Sequence, residues 1–324
     1  MKTDRSVSII IPTFRKREFL EPTLDSLARQ TYPAGLTEVV VVDDCSGDET
    51  FEYLQSLDTP YTLVPIGHDV NKGRAAARNT AIRAATGELA VFVDDDMRCA
   101  PEFLEQHVRF HEGHPGTVVI GSAITAPELG RKTVFSYLDE MGVHRLKPGS
   151  VVPARYFVTN NASVERKCLL DVGLFDESFR RYGFEDTELA FRLEDRAGLR
   201  FMYCAEAVAY HLHDQSLEDV LSKRLDTARP LMRLLASHPH RARELSADVL
   251  LPPNAGDSAG LRLRKRLVAA ATNRLFYSLV RSLAGAIWLR GLSRDVMVYL
   301  IACQYRRGLR LVAGADLGRS APSR

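Results

Sequence analysis

Short apolar runs that stop abruptly in polar residues set the rhythm of the first half of the chain. Residues 7–11, apolar but for Ser8, end at Pro12 and Thr13. Residues 39–42 are four valines and end at Asp43 and Asp44. Residues 61–64 form a weaker run, residues 89–93 are wholly apolar and end at Asp94, Asp95 and Asp96, and residues 118–120 follow. Runs of this length without alternation predict strands buried on both faces, as in a parallel sheet. Between them the spacing changes. Leu20, Leu24 and Leu27 recur at helical intervals up to Gln30. Residues 46–50 are turn and helix-start chemistry. Asn71, Lys72, Gly73 and Arg74 open an alanine-rich helix through Ala85, and Pro101 starts another to about His111. Strands alternating with helices imply right-handed crossovers and an α/β fold with a mostly parallel sheet.

The second half is less regular. From residue 121 to 155 the pattern is broken by Pro127, Gly130, Pro148, Gly149 and Pro153, as in a binding loop or a plain connector. Residues 156–164 predict a strand, 171–177 a turn, 187–197 a helix, and 201–213 a strand ending in His211 and His213. After Asp214 the character changes to helix. Residues 217–238 are mixed in charge and residues 251–258 read as a linker. Arg262, Arg264, Lys265 and Arg266 crowd the start of a helix expected to reach residue 289, and a further helix spans 296–311. The expected layout is therefore an α/β domain over 1–215, a helical region over 216–317, and a disordered tail over 318–324.

Bulk properties narrow this picture without redirecting it. The hydrophobic share of 45% and charged share of 26% are those of an ordinary globular protein, and a net charge of +2 argues against wholesale nucleic-acid binding. Five cysteines lie scattered without a C-x-x-C pair, which disfavours a zinc site or disulfide framework and suits a reducing compartment. The polar first six residues hold no signal-peptide core, and no apolar stretch is long enough to span a bilayer. A cytoplasmic location is expected, free or peripheral at the inner face of the membrane.

The chemistry sits at the strand ends. Ligands of open α/β sheets bind beyond the carboxyl ends of the strands, where Asp94, Asp95 and Asp96 project. Crowded carboxylates repel one another unless something positive sits among them. A divalent metal bringing an anionic ligand is the simplest partner. Neither G-x-G-x-x-G after the first strand nor G-x-x-x-x-G-K-[ST] is present. A nucleotide held by carboxylates and metal, rather than by a glycine loop, suits this arrangement. Lys72, Arg74 and Arg78 fall at a helix start, where positive charge near a diphosphate is sensible, although solvated surface charge explains such residues as well. His211 and His213, two apart on a strand, face the same way. His107, His111 and His114 read as surface or helix residues.

Four segments, 7–14, 41–46, 73–79 and 94–96, resemble family 2 glycosyltransferases of the GT-A fold. The later segments 161–163, 173–177 and 183–189 look like the C-terminal half of the galactosyltransferase and N-acetylgalactosaminyltransferase subset. The likeness covers roughly residues 5 to 215. It implies an inverting, metal-dependent transfer of a sugar from a nucleoside-diphosphate sugar, with UDP favoured, to an acceptor hydroxyl on a saccharide or lipid-linked molecule.

The resemblance also assigns roles. Asp44 would hydrogen-bond the base, with Pro12, Thr13 and Phe14 forming a wall of that pocket; Asp43 and Asp44 could instead cap the following turn. Arg74 and Arg78 would meet the diphosphate. Asp94 and Asp96 form the D-x-D, with Asp96 the expected ligand of Mn²⁺ or Mg²⁺ and Asp94 or Asp95 reaching the ribose or sugar. A histidine, His211 in preference to His213, would complete the metal shell. Asp186, beside Glu185, would be the catalytic base, while Glu188 and Glu185 could be simple first-turn acids. Two other readings compete. One is a nucleotidyltransferase that makes the sugar nucleotide, and the other is a non-catalytic carbohydrate-binding protein. The C-terminal helices admit packing on the domain, packing on another subunit, or a place on a membrane surface.

Overall fold

The computed structural model describes residues 5–129, 142–180, 182–213, 216–288 and 293–319. The apolar runs become β1 (Val7–Thr13), β2 (Thr37–Asp43), β3 (Thr62–Gly67) and β4 (Leu89–Val93), parallel neighbours in the order β3-β2-β1-β4. Between them run α1 (Arg17–Leu27), α2 (Thr50–Ser56) and α3 (Arg74–Ala84). Ile9, Ile11, Val39, Val41, Val91 and Val93 bury one sheet face against Leu20, Leu24 and Leu27 of α1 and Phe103 and Val108 of α4 (Phe103–Gly113). Each such side chain contributes roughly 1.5–3 kcal/mol when fully buried, so the runs themselves hold the sheet. Pro12 is tolerated in a central strand because β1 pairs with β4 only as far as Ile10, and on that side its missing N–H is not needed.

Beyond β4 the sheet is mixed. It continues β8-β6-β9-β5 through β8 (Asn161–Glu165), β6 (Thr117–Thr125), β9 (Arg200–His211) and β5 (Met97–Cys99), with β7 (Val151–Val152) also on β9. β8 is antiparallel to both β4 and β6, whereas β6 and β9 are parallel. A polar clamp joins these strands. Asn161 donates to the carbonyls of Ser122 and Ala207, and its Oδ1 accepts from His107 Nε2. Ser163 Oγ meets His107 Nδ1 and His111 Nε2. Gly121 permits this, since a Cβ there would lie 2.1 Å from Asn161 Oδ1. His107 and His111 are thus helix residues as expected, but buried ones, and burial pushes them down to about 4 and about 3.

Other differences from expectation have local causes. The strand expected from residue 156 begins only at Asn161, because Pro153 leads into a single 3₁₀ turn, Ala154–Tyr156. Ahead of the 171–177 turn lies a short helix, α5 (Arg166–Asp171). The next helix, α6 (Glu185–Ala197), starts two residues early. Its Glu188 and Arg192 form a buried i,i+4 pair at 2.6 Å, and Arg192 also donates to the carbonyls of Val172 and Leu174. Glu188 is therefore a fold residue.

The chain divides into two compact units, residues 1–180 with 185–214, and residues 181–184 with 215–324. The second unit is helical. It contains α7 (Leu217–Asp226), opened by a Ser216–Asp219 capping box, then α8 (Ala228–Ser237), α9 (Ala259–Ala271), α10 (Arg274–Trp288) and α11 (Ser293–Arg319). α11 packs on α7 and α8 through Leu300 against Leu221 and Leu309 against Leu231. The two long helices expected over 217–238 and 262–289 are each broken once, at Thr227 and at Thr272–Asn273, where the Asn273 side chain caps α10 by accepting from Phe276 N–H. Residues 318 and 319 belong to α11, and the rest of the expected tail lies outside the described residues, as do residues 130–141 of the irregular segment. No helix among the described residues is long and apolar enough to cross a membrane.

Candidate active site

The carboxyl ends of β1, β2 and β4 converge because the strands are parallel and in register, which brings Thr13, Asp43 and the Asp94–Asp96 turn to one edge. α1 packs beneath that turn. Thr23 Oγ1 lies 3.0 Å from the Asp95 carbonyl and accepts from Met97 N–H. The three aspartates point three ways. Asp94 meets Arg78 Nη2 at 2.9 Å. Asp95 accepts from Thr13 Oγ1 at 2.9 Å. Asp96 meets Lys16 Nζ at 2.6 Å and His213 Nδ1 at 3.1 Å. Burial pushes Asp95 up to about 6, with Lys16 opposing. Asp96 is buried too, yet the His213 hydrogen bond and Lys16 hold it well below the usual carboxylate range.

At the end of β2 the two aspartates serve backbone amides. Asp43 Oδ1 takes the Ser46 N–H and hydroxyl. Asp44 accepts from Lys72 N–H at 2.9 Å, from Gly73 N–H at 2.7 Å and from His68 at 2.7 Å. The segment that opens α3 is thereby tied to the strand end, with Gly73 at φ +90°, a conformation a side chain resists. One lone pair of Asp44 Oδ2 is left for a ligand among the contacts described. Phe14 is 40% exposed with the Arg15 guanidinium 4.9 Å from its ring, and Arg15 itself is anchored on Ser46.

Arg78 is the pivot. It lies on the first turns of α3, is 2% exposed, and reaches both the turn after β4 and the start of α6. Nη2 holds Asp94, while Nη1 lies 3.5 Å from Glu185 and 3.7 Å from Asp186. Its ring neighbour is Phe175, 5.7 Å away. Burial alone would lower its basicity, but the three carboxylates override that and raise it. Arg74 adds a second contact to Glu185 at 3.8 Å. Asp186, at the start of α6, is also near Thr159 N and Oγ1, at 3.4 and 3.3 Å. Burial and the adjacent Glu185 charge push it up to about 7, with Arg78 opposing. A carboxyl near neutrality can exchange a proton at working pH.

The histidines arrive through β9. Its pairing with β5 sets His211 opposite Met97, and Leu212 N–H donates to the Asp96 carbonyl. His213 is the one that reaches the Asp96 carboxylate, its ring against Phe19, while His211 Nε2 lies 3.3 Å from Asn160 Nδ2. Asp96 and His213 supply one hard oxygen and one imidazole. Among the described residues no third such donor joins them in a three-donor cluster. That donor set fits Mg²⁺ or Mn²⁺, which complete their shells with substrate phosphate and water. The charge fits as well, because the carboxylates of Asp94, Asp95, Asp96, Glu185 and Asp186 outnumber the cations Lys16, Arg74 and Arg78 by two.

Sequence reasoning missed Lys16 and Thr159. Lys16 Nζ lies between Asp96 and Asp95, 3.4 Å from the latter, from a loop 80 positions away. Burial opposes its charge, but Asp95 and Asp96 raise its basicity. A basic residue shortly after a strand that ends beside acids is the only available signal.

Residues 8–202 match the model of glycosyl transferase family 2, and the chain belongs to that family. It is 31% identical over 252 residues to the uncharacterized glycosyltransferase YfnE of Bacillus subtilis, covering 63% of this chain and 64% of that one. The chain spans between 47% and 64% of the length of the first curated relatives it matches. Among solved structures it is similar in fold to a mannosyltransferase of Pyrobaculum calidifontis solved with GDP-Man and Mn²⁺, at TM-score 0.62 and 22% identity, covering 94% of this chain and 87% of that one. TarS of S. aureus, solved with UDP-GlcNAc, matches at TM-score 0.54 and 20% identity, over 96% of this chain and 92% of that one.

Proposed function

We propose that this chain is an inverting, metal-dependent glycosyltransferase that moves a hexosyl or N-acetylhexosaminyl group from a nucleoside-diphosphate sugar to an acceptor hydroxyl. The observation that carries it is Arg78, buried and joining Asp94 after β4 to Glu185 and Asp186 at the start of α6. Asp44 and the Pro12–Thr13–Phe14 segment receive the base. Asp96 with His213, or with His211 as the resemblance prefers, would hold Mn²⁺ or Mg²⁺, whose role when bound is to offset the charge of the departing diphosphate. Asp94, with Asp95 as its neighbour, faces the ribose or sugar, and Arg74 and Arg78 lend positive charge to the phosphates. Asp186 takes the proton of the acceptor hydroxyl as that oxygen bonds to the anomeric carbon. The bond from that carbon to the phosphate oxygen breaks, nucleoside diphosphate leaves, and configuration inverts without a covalent intermediate. Burial, helped by the Glu185 charge, keeps the Asp186 proton affinity high.

UDP is the carrier we favour, on the resemblance of the strand-end motifs. The solved relatives hold UDP-GlcNAc in one case and GDP-Man in another, so both belong in the test. The test is a panel of nucleotide sugars assayed for nucleoside diphosphate release. The expected result is release from one donor class, lost with EDTA and restored by Mn²⁺ or Mg²⁺. Pyrophosphate release, or turnover of a sugar phosphate with a nucleoside triphosphate, would overturn the reading.

A further inference from the structure

The helices α9 and α10 carry a surface that the catalytic reading does not use. Over residues 258–294 the chain has eight arginines and lysines and no acidic residue. Lys265 is buried against Asp257 and Arg281 pairs with Glu218. Arg264, Arg266 and Arg274 are exposed and make no ion pair among the described residues. Interleaved with them stand large apolar side chains open to solvent. Leu263 and Leu267 lie one turn apart on α9. Leu275, Leu279 and Leu283 form an i,i+4 stripe on α10, flanked by Phe276. Leu275 is 83% exposed. The opposite stripe of α10, Tyr277 and Val280, is the one that packs inward. α10 is therefore apolar on two faces, of which the unit covers one.

The geometry points to a peripheral contact with an anionic lipid surface through α9 and the outer stripe of α10. The charge decides the occupant. A second copy docked on this patch would bring arginine against arginine, whereas an anionic headgroup layer meets the arginines while the leucines and Phe276 enter the acyl boundary. Each helix would lie in the interface rather than cross it, consistent with the absence of a spanning helix among the described residues. This inference stands apart from the sugar-transfer reading and does not need it.

The test is co-sedimentation of the full chain with vesicles of phosphatidylcholine alone and of phosphatidylcholine with phosphatidylglycerol. Wild type should bind the mixed vesicles at about 0.1 M salt, bind the neutral ones far less, and release at about 0.5 M salt as charge is screened. The pair Leu275→Glu with Leu279→Glu, and separately the triple Arg264→Gln, Arg266→Gln and Arg274→Gln, should each cut binding by about tenfold or more. Because all five side chains are exposed, both variants should keep the wild-type circular dichroism and melting temperature. Equal binding by wild type and variants would overturn the inference. So would a wild-type dimer in light scattering that the Leu→Glu pair dissolves.

Discussion

Arg78 is the residue on which the site depends. A guanidinium with 2% exposure depends on the three carboxylates around it, since burial alone disfavours its charge. Arg78→Met should therefore cost about 3–5 kcal/mol in denaturant unfolding, as breaking a buried pair does. Arg78→Lys should recover only part of that, since a point charge cannot serve Asp94 and Glu185 together. Lys16 poses the opposite case. Its amine occupies carboxylate oxygens that a divalent ion would use. Lys16→Met should tighten Mn²⁺ binding in the absence of nucleotide by about tenfold, read by calorimetry, since removing a unit charge at this range is worth roughly 1–4 kcal/mol. Unchanged or weaker binding would show that Asp96 does not hold the ion.

At the scale of elements, the strand ends are fixed by packing and the helix starts by hydrogen bonds to them. Asp44 grips the amides that open α3, so β2 positions Arg74 and Arg78. Gly73 makes the grip possible at φ +90°, and Gly73→Ala should destabilise the chain by about 1–3 kcal/mol and weaken donor binding, checked by melting temperature and titration. The β1, β2 and β4 strands were legible because wholly apolar runs have one reading in this alternation. Asp94, Asp95 and Asp96 were legible because acids at a strand end have no packing value. What each aspartate touches was not, because Thr13, Lys16, Arg78 and His213 approach from segments far off in the chain. The same reason hides β5, a three-residue strand defined by pairing with β9 rather than by its own composition. Within the same 73–79 segment, the Asn79 side chain is taken up by the Phe175 backbone and Glu177, fixing α3 to the loop before α6.

For the whole molecule, the first unit gathers acids from the turn after β4 and from α6 around the buried Arg78, and Asp186 acts as the base. Its sign with pH is definite. The folded value, about 7, lies above the ordinary carboxyl value of 3.8, so the folded protein holds this proton more tightly than the unfolded chain. Ionising Asp186 thus works against stability as pH rises from about 4 toward 7, and it equips the group to take a proton above 7. The deciding measurement is kcat/KM for the best donor and acceptor across pH, wild type against Asp186→Asn. The wild type should lose about tenfold per unit below about pH 7. Asp186→Asn should be slower by about 10²–10⁴, lack that limb, and melt no lower than wild type. An Asp186→Asn variant that keeps wild-type rates, or keeps the same acid limb, would contradict the account.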